Sequence, residues 1–344
     1  MNKNLPLTIE TGIFHGGHIQ GIAIDNERKY IYCSFTTELV KLDMEGNFIG
    51  SVKGFTGHLG CLAYNEADGR VYGSLEYKND EIGKGILHNL GIETEVKNAF
   101  YVAIFDVDAI DRPQMNAETD GVMTTVFLRE VTEDYLCREP LHRYGCSGID
   151  GVTFAPVEGE MRLLVAYGIY GDTERADNDY QVLLSYKPET LRPYESVLTA
   201  QNIHTNGPAS CDARYFVYTG NTTYGVQNLE YDAATGDIFV AVYRGWKENF
   251  PNFKMFVIDG AVAPREEILR GLDGEKGLVL SLKEAGVCDK GMYGSRFPYG
   301  STGMISLGDG RFYFSHDHGE NGEYESHIRL YRYVGGRIFF EPIE

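Results

Sequence analysis

The segment "HIQGIAIDNERKYIYCSFTTE" (residues 18–38) lies over "HLGCLAYNEADGRVYGSLEYK" (residues 58–78) without a gap, at an offset of 40 residues (58 less 18). Both read as an apolar strand, a turn with acidic or Asn residues, and an aromatic strand. The pattern recurs in "GIDGVTFAPVEGEMRLLVAYG" (148–168), "GVQNLEYDAATGDIFVAVYRG" (225–245) and "GSTGMISLGDGRFYFSHDHG" (300–319). Self-similarity of this kind marks repeat architectures, in which one unit cannot bury its apolar faces alone.

Two more strand-like runs follow each copy. They are "LVKLDM" with "FIGSVK", "YVAIFDV" with "TTVFLRE", "YQVLLSY" with "YESVLT", "KMFVIDG" with "LVLSL", and "IRLYRYV" with "RIFFEPI". Alternating apolar residues bounded by Gly, Asp and Asn are the strand signal. Four antiparallel strands, repeated, describe the blades of a β-propeller. The sequence therefore predicts an all-β chain forming a single β-propeller domain over residues 1–344, with five blades of four strands. Six blades stay open if "DARYFVYTG" (212–220) belongs to an extra, degenerate blade. "LPLTIETGIF" (5–14) reads as an additional strand that could pair with an outer edge and close the ring. A β-sandwich would explain the strands but not the recurrence of one hairpin.

Composition agrees. The 344 residues are 43% hydrophobic, enough for a sizeable core, and 24 Tyr, 18 Phe and 41 Gly favour pleated strands and tight turns. A net charge of −19 argues against a nucleic-acid or anionic-membrane partner, since both need a basic face. No apolar run is long enough for a transmembrane helix, and "MNKNLPLTIETGIF" has no secretory pattern. Cys33, Cys61, Cys137, Cys146, Cys211 and Cys288 are scattered, with no C-x-x-C. They read as free thiols of a cytoplasmic protein.

The inner strand of each propeller blade lines the central channel. The loops that precede it, and those joining second strand to third, crowd one face of the disc. Here the second-to-third connections are unequal. The first is only "FTTE"; the second runs from Glu76 to about Phe100 and could act as a lid; the third is "YGIYGDTERADNDYQ"; the fourth is "YRGWKENFPNF". The fifth, inside "RFYFSHDHGENGEYESHIRLYRY" (311–333), packs His316, Asp317, His318 and His327 among three glutamates. Elaborated loops on one side of a rigid scaffold are where binding sites are built.

Aligning the repeats places His18 with Gln20, His58, Asp150, Gln227 with Asn228, and Ser301 with Thr302 at the starts of the inner strands. Thr36, Glu76, Gly168, Tyr243 and Asp317 stand at the ends of the second strands. Gathered on one axis, such groups must be paired or bound to a metal, because burying them otherwise is costly. His18, His58, Gln227 and His316 are candidate ligands for a transition metal, which imidazoles suit. Glu76, Asp150 and Asn228 form an alternative oxygen site of the kind calcium takes. "GDTERADND" (171–179) has some calcium-loop character but lacks the spacing of an EF-hand, and a solvated acidic loop explains it better. Arg143, Arg244 and Arg296 fall in loops expected near the same mouth, where guanidinium forks could hold a carboxylate. Tyr243, Trp246 and Tyr77 would offer flat faces to a sugar ring. Cys146 and Ser147 lie at the start of an inner strand, with nothing to activate either.

The hairpins, with "GIAID" followed by a turn and an aromatic strand, resemble those of NHL-type and gluconolactonase/regucalcin-type propellers. That resemblance implies one divalent ion held in the channel by Glu, Asn and Asp, for which Glu76, Asn228 and Asp150 match by type. The histidines also look like those of propeller lyases acting on uronic-acid oligosaccharides, whose His/Gln metal site is matched by His18, His58, Gln227 and His316. The expected function is an intracellular enzyme acting on a small, polar, carbohydrate-derived substrate, such as an acidic sugar. It would work by metal-assisted hydrolysis or β-elimination, with one divalent ion (Mn, Zn, Fe or Ca). His318, Glu76 or Asp317 would serve as the base. The alternative is a non-catalytic scaffold that docks a protein or peptide.

Overall fold

Each of the five hairpins supplies the inner two strands of one blade, and the chain is a five-bladed β-propeller. The structure, a computed structural model, describes residues 5–93, 97–199 and 203–344. Blade one runs Ile19–Ile24, Tyr30–Phe35, Glu38–Asp43, Phe48–Lys53, from the channel outward. Blade two runs His58–Asn65, Arg70–Tyr77, Ala99–Phe105, Met123–Phe127. The inner strands touch in ring order. Ile19–Ile24 packs on His58–Asn65, then come Cys146–Val157, Thr223–Asp232 and Met304–Ser306, which returns to Ile19–Ile24.

This inner ring is tight. A Cβ on Gly21 would stand 2.7 Å from Cys61 Cα, so only glycine lets blades one and two approach there. Equivalent serines stitch neighbouring blades. Ser34 donates to Gly60 O at 2.6 Å, and Ser74 donates to Asp150 O at 2.7 Å. Between blades lie apolar layers. Phe239, Phe312, Phe314 and Phe340 fill the boundary of blades four and five, for example.

Two of the expected outer strands are corrected. In blade three, after Cys146–Val157, Glu160–Ile169 and Tyr180–Tyr186, the fourth strand is Ala213–Tyr218, not "YESVLT" (194–199). Ser196 instead bridges to Thr125 on the outer strand of blade two. The segment that raised a sixth blade is thus the fourth strand of the third. In blade four, Thr223–Asp232, Asp237–Tyr243 and Met255–Ile258 pair in turn. "LVLSL" is not a continuous fourth strand there. Lys276–Leu280 adds in parallel to Ala213–Tyr218, and only Leu282 and Ser295 bridge back to blade four. A short apolar run fits any unpaired edge of the right spacing, and alternation does not say which.

Blade five closes the ring. Met304–Ser306, Arg311–Glu320 and Glu323–Tyr333 are followed by Thr8–Glu10 from the other end of the chain. Phe340–Pro342 pairs further along the same edge. The histidine-rich connection is strand almost throughout. Its turn is Asn321–Gly322, with φ of 54° and 83°, the left-handed pair that a two-residue hairpin demands. In blade two the long connection folds into a helix, Glu81–Leu90, whose first turn is capped by Asp80 accepting from Gly83 N–H at 2.9 Å. Residues 94–96 of that connection lie outside the described residues.

Ile9 is 1% exposed in the closing strand, while Leu7 beside it is 48% exposed. Ile9→Ala should cost about 2–5 kcal/mol in denaturant unfolding, and Leu7→Ala should change stability by less than about 0.5 kcal/mol. Equal effects from the two would show that closure does not hold the ring.

Candidate functional site

His58 opens the inner strand of blade two and pairs in register with Glu76, at the end of the second strand. Asp150 lies on the inner strand of blade three. Their ligand atoms all fall within 4.8 Å of one another. His58 Nδ1 is 3.5 Å from Glu76 Oε1 and 3.8 Å from Asp150 Oδ1. Both His58 Nδ1 and Asp150 Oδ1 are buried without a hydrogen-bond partner among the described residues. Glu76 is better served. Ile149 N–H donates to its Oε2 at 3.1 Å. The carboxylate reaches that amide only because residue 148 is glycine, at φ 130°. A Cβ there would stand 2.1 Å from Oε2.

Sequence reasoning missed Lys78. Its ammonium is 2.5 Å from Glu76 Oε1 and donates to Ser147 O at 3.2 Å. The signal was there: Lys78 stands two residues after Glu76, just past the end of a strand buried from Val71 to Tyr77, where two-residue spacing keeps side chains on one side. Burial pushes the Glu76 carboxyl up, but Lys78 and His58 outweigh it and hold it below its ordinary value. Asp150 lacks such a partner. Burial, and then the charge on Glu76, raise its pKa to about 7. Gln227 Nε2 steadies it, donating to Oδ2 at 3.2 Å and to Tyr224 O at 3.0 Å.

The remaining groups of the mouth complete a ring drawn from all five blades. His18 is lowered by burial and by His58, with Asp317 opposing. Its Nε2 is in contact with the Gln20 amide Nε2, which can only donate, so His18 accepts there. Asp317 is exposed and accepts from Thr302 at 3.1 Å. The Tyr243 hydroxyl is pushed up to about 12 by burial and by the carboxylates of Asp317 and Asp150. The structure thus brings His18, His58, Glu76, Asp150, Gln227, Tyr243 and Asp317 together.

Several expected members are elsewhere. His316 points away from Asp317, because neighbours on a strand face opposite ways. It stacks on Tyr299 at 3.5 Å and meets Tyr331 OH at 3.1 Å, and burial lowers its pKa to about 4. It is not a ligand beside His18 and His58. His318 lies on the same side as His316, against the ring of His327, and cannot be the base of this cluster. His18 and Gln227 are spoken for by Gln20 and Asp150. Asn228 Nδ2 spans the channel to Gln20 O at 2.9 Å and Ser301 O at 3.3 Å, leaving Oδ1 buried and unpartnered. Arg143 is paired with Glu275 at 2.8 Å over the Tyr144 ring, and Arg296 with Asp289 at 3.0 Å over Phe253. Neither is offered to the mouth. Tyr77 is buried edge-on to Tyr101 and lines a cleft beside the mouth, between the Glu81–Leu90 helix and the side chains of His58, Glu76 and Lys78. Arg244 stays exposed, stacked on Trp246, which is 62% exposed.

The acidic loop 171–179 brings its own cation. Lys247 reaches Asp179 Oδ1 at 2.5 Å, Asn178 Oδ1 at 2.8 Å and the carbonyl of Arg175. All six cysteines are free, and burial pushes the Cys146 thiol well up, away from reactivity.

No family model matches this chain, and no curated protein matches it. Among solved structures, it is similar to the soluble aldose sugar dehydrogenase of Escherichia coli, in its apo form. Identity is 10%, over 98% of this chain and 99% of that one, with a TM-score of 0.39. It is also similar to the β-propeller domain of Myceliophteria thermophila Cps50 (Swd1). There identity is 8%, over 93% of this chain and 98% of that one, with a TM-score of 0.33. Likenesses this slight add nothing to the fold already read from strand pairing. Among the described residues, no helix is long and apolar enough to cross a membrane.

Lys78→Met leaves Glu76 as a buried charge without its ammonium and should cost about 3–5 kcal/mol in denaturant unfolding. Adding Glu76→Gln should recover most of that loss. A double variant no more stable than the single one would show that the pair is not the source of the cost.

Proposed function

We propose that the channel mouth is the active site of an enzyme acting on a small, polar, carbohydrate-derived substrate, by metal-assisted hydrolysis or β-elimination. One observation carries this reading. His58 Nδ1 and Asp150 Oδ1 are buried, face each other at 3.8 Å and lack hydrogen-bond partners, with Glu76 Oε1 3.5 Å from the same nitrogen. Buried polar atoms in that state need a cation or a proton between them. The donor set, one imidazole with two carboxylates, fits a divalent first-row ion, although it must share Glu76 with Lys78. His58, Glu76 and Asp150 would hold it. Once bound, such an ion supplies Lewis acidity toward a substrate oxygen.

The surrounding side chains supply the rest. Asp317, exposed and oriented by Thr302, can take a proton from substrate or water. Tyr243 keeps its proton at neutral pH and can give it to a leaving oxygen. Arg244 and Trp246 offer a guanidinium for a carboxylate and a flat face for a sugar ring. Gln227 fixes the Asp150 carboxyl. Lys78 keeps Glu76 ionised.

A second reading is a non-catalytic scaffold for a protein or peptide. The exposed Trp246 with Arg244 stacked on it favours that, since Trp and Arg dominate binding hot spots.

Untagged protein, purified without added metal and then titrated with Mn²⁺ or Zn²⁺ in a calorimeter, should bind one ion per chain at the mouth. His58→Ala and Asp150→Asn should each abolish that binding. Because Asp150 holds a proton up to about pH 7, affinity should fall up to about tenfold per pH unit below that value. Binding that survives both substitutions overturns the metal site. Turnover of acidic-sugar substrates lost in Asp317→Asn would support the enzyme over the scaffold.

A further inference from the structure

Alternation divides the Arg311–Tyr333 hairpin into two chemistries. The register opposes His316 to His327, His318 to Glu325 and Glu320 to Glu323. Directly opposed residues share a face, so three imidazoles and three carboxylates stand on one side. Asp317, Ser326 and Ile328 stand on the other. The channel site uses only Asp317. His316 is occupied by Tyr299 and Tyr331. His318 and His327 remain, with ring centroids 5.1 Å apart and planes at 85°.

We propose that His318 and His327 form a two-imidazole surface clamp for one late first-row divalent ion, copper(II) above nickel or zinc. Two imidazoles on adjacent positions of one ion, with metal–N bonds of about 2.0–2.1 Å, place their ring centroids about 4.5 Å apart in tetragonal and about 5 Å apart in tetrahedral geometry. The two rings already stand near that spacing, at 5.1 Å. The tautomer is prepared as well. Glu10 Oε2 lies 2.9 Å from His327 Nδ1. It holds the proton on that nitrogen and leaves the Nε2 lone pair for a metal, the usual carboxylate–histidine arrangement. Both rings are accessible, His318 being exposed and His327 32% exposed. Arg329, next along the same face, opposes a cation, and Glu10 and Glu325 offset it. Imidazole nitrogen ligands follow the order that puts copper(II) highest.

The test is a copper(II) titration of the untagged chain in a His18→Ala, His58→Ala background, which removes both imidazoles of the channel mouth, followed by electron paramagnetic resonance. The first equivalent should show hyperfine structure from two nitrogens. His318→Ala, an exposed change that leaves the fold intact, should remove one nitrogen and weaken binding at least tenfold. Glu10→Gln should weaken it by about 10–100-fold while keeping both nitrogens. A first-equivalent spectrum and affinity unchanged by His318→Ala overturn the proposal, as does a wild-type signal with no nitrogen coupling. The outcome is independent of the channel site, whose failure would be read with His58 intact.

Discussion

A ring of blades exists only if its first and last segments pair, and here that rests on Thr8–Glu10 lying antiparallel to His327–Arg329. That short strand, extended by backbone bonds from Leu7 to Phe14, holds the ring shut. Every blade contributes to the channel mouth: His18 from blade one, His58 and Glu76 from two, Asp150 from three, Gln227 and Tyr243 from four, Asp317 from five. No blade alone holds the site. His58 and Asp150 sit on neighbouring inner strands joined through Ser74 and the Asp150 carbonyl, so their spacing depends on blades two and three staying packed. Closure also delivers Glu10 to His327. The two ends of the chain thus determine both the geometry of the channel and the chemistry of the last hairpin.

Within the mouth, burial sets the electrostatics and the partners decide its sign. Glu76 and Asp150 share one low-dielectric space, and two unscreened carboxylates cannot both ionise cheaply there. The chain separates them. Lys78 stabilises the charge on Glu76, and the same charge helps keep the proton on Asp150. Titratable neighbours whose pKa values are pushed apart are the arrangement that lets acid and base coexist near neutral pH. Tyr243 extends the series upward.

The hairpin repeat was legible because its period is imposed by burial: every blade needs the same apolar alternation. The repeat alignment located the mouth for the same reason, since the starts of inner strands and the ends of second strands are equivalent points in every blade. Outer strands carried less information. Ala213–Tyr218 and "YESVLT" have similar patterns, and pairing with Tyr180–Tyr186 rather than composition chose between them. Side-chain partners were least legible. The parity of "HDH" was readable, and it separates His316 and His318 from Asp317. Which of them faced the channel depended on the strand running straight on to Glu320. Arg143 was drawn off by Glu275, remote in sequence, and Arg296 by Asp289, seven residues back in the preceding hairpin.

Clusters of ligand-type residues differ in whether the fold supplies its own cation. At residues 171–179 the oxygens converge, and Lys247 fills the centre, so the loop needs nothing from solution. At Glu76 Lys78 does the same for one carboxylate, yet it stops there: His58 Nδ1 and Asp150 Oδ1 stay unpartnered. Along the last hairpin Arg329 stands on the same face, but the His318 and His327 rings still turn toward each other. The residue types in these places are alike. The difference is the reach of one ammonium or guanidinium group. A lysine that arrives within 2.5 Å of one carboxylate while leaving a second, 3.8 Å from an imidazole, without an ammonium of its own is the feature on which the proposed cation site rests.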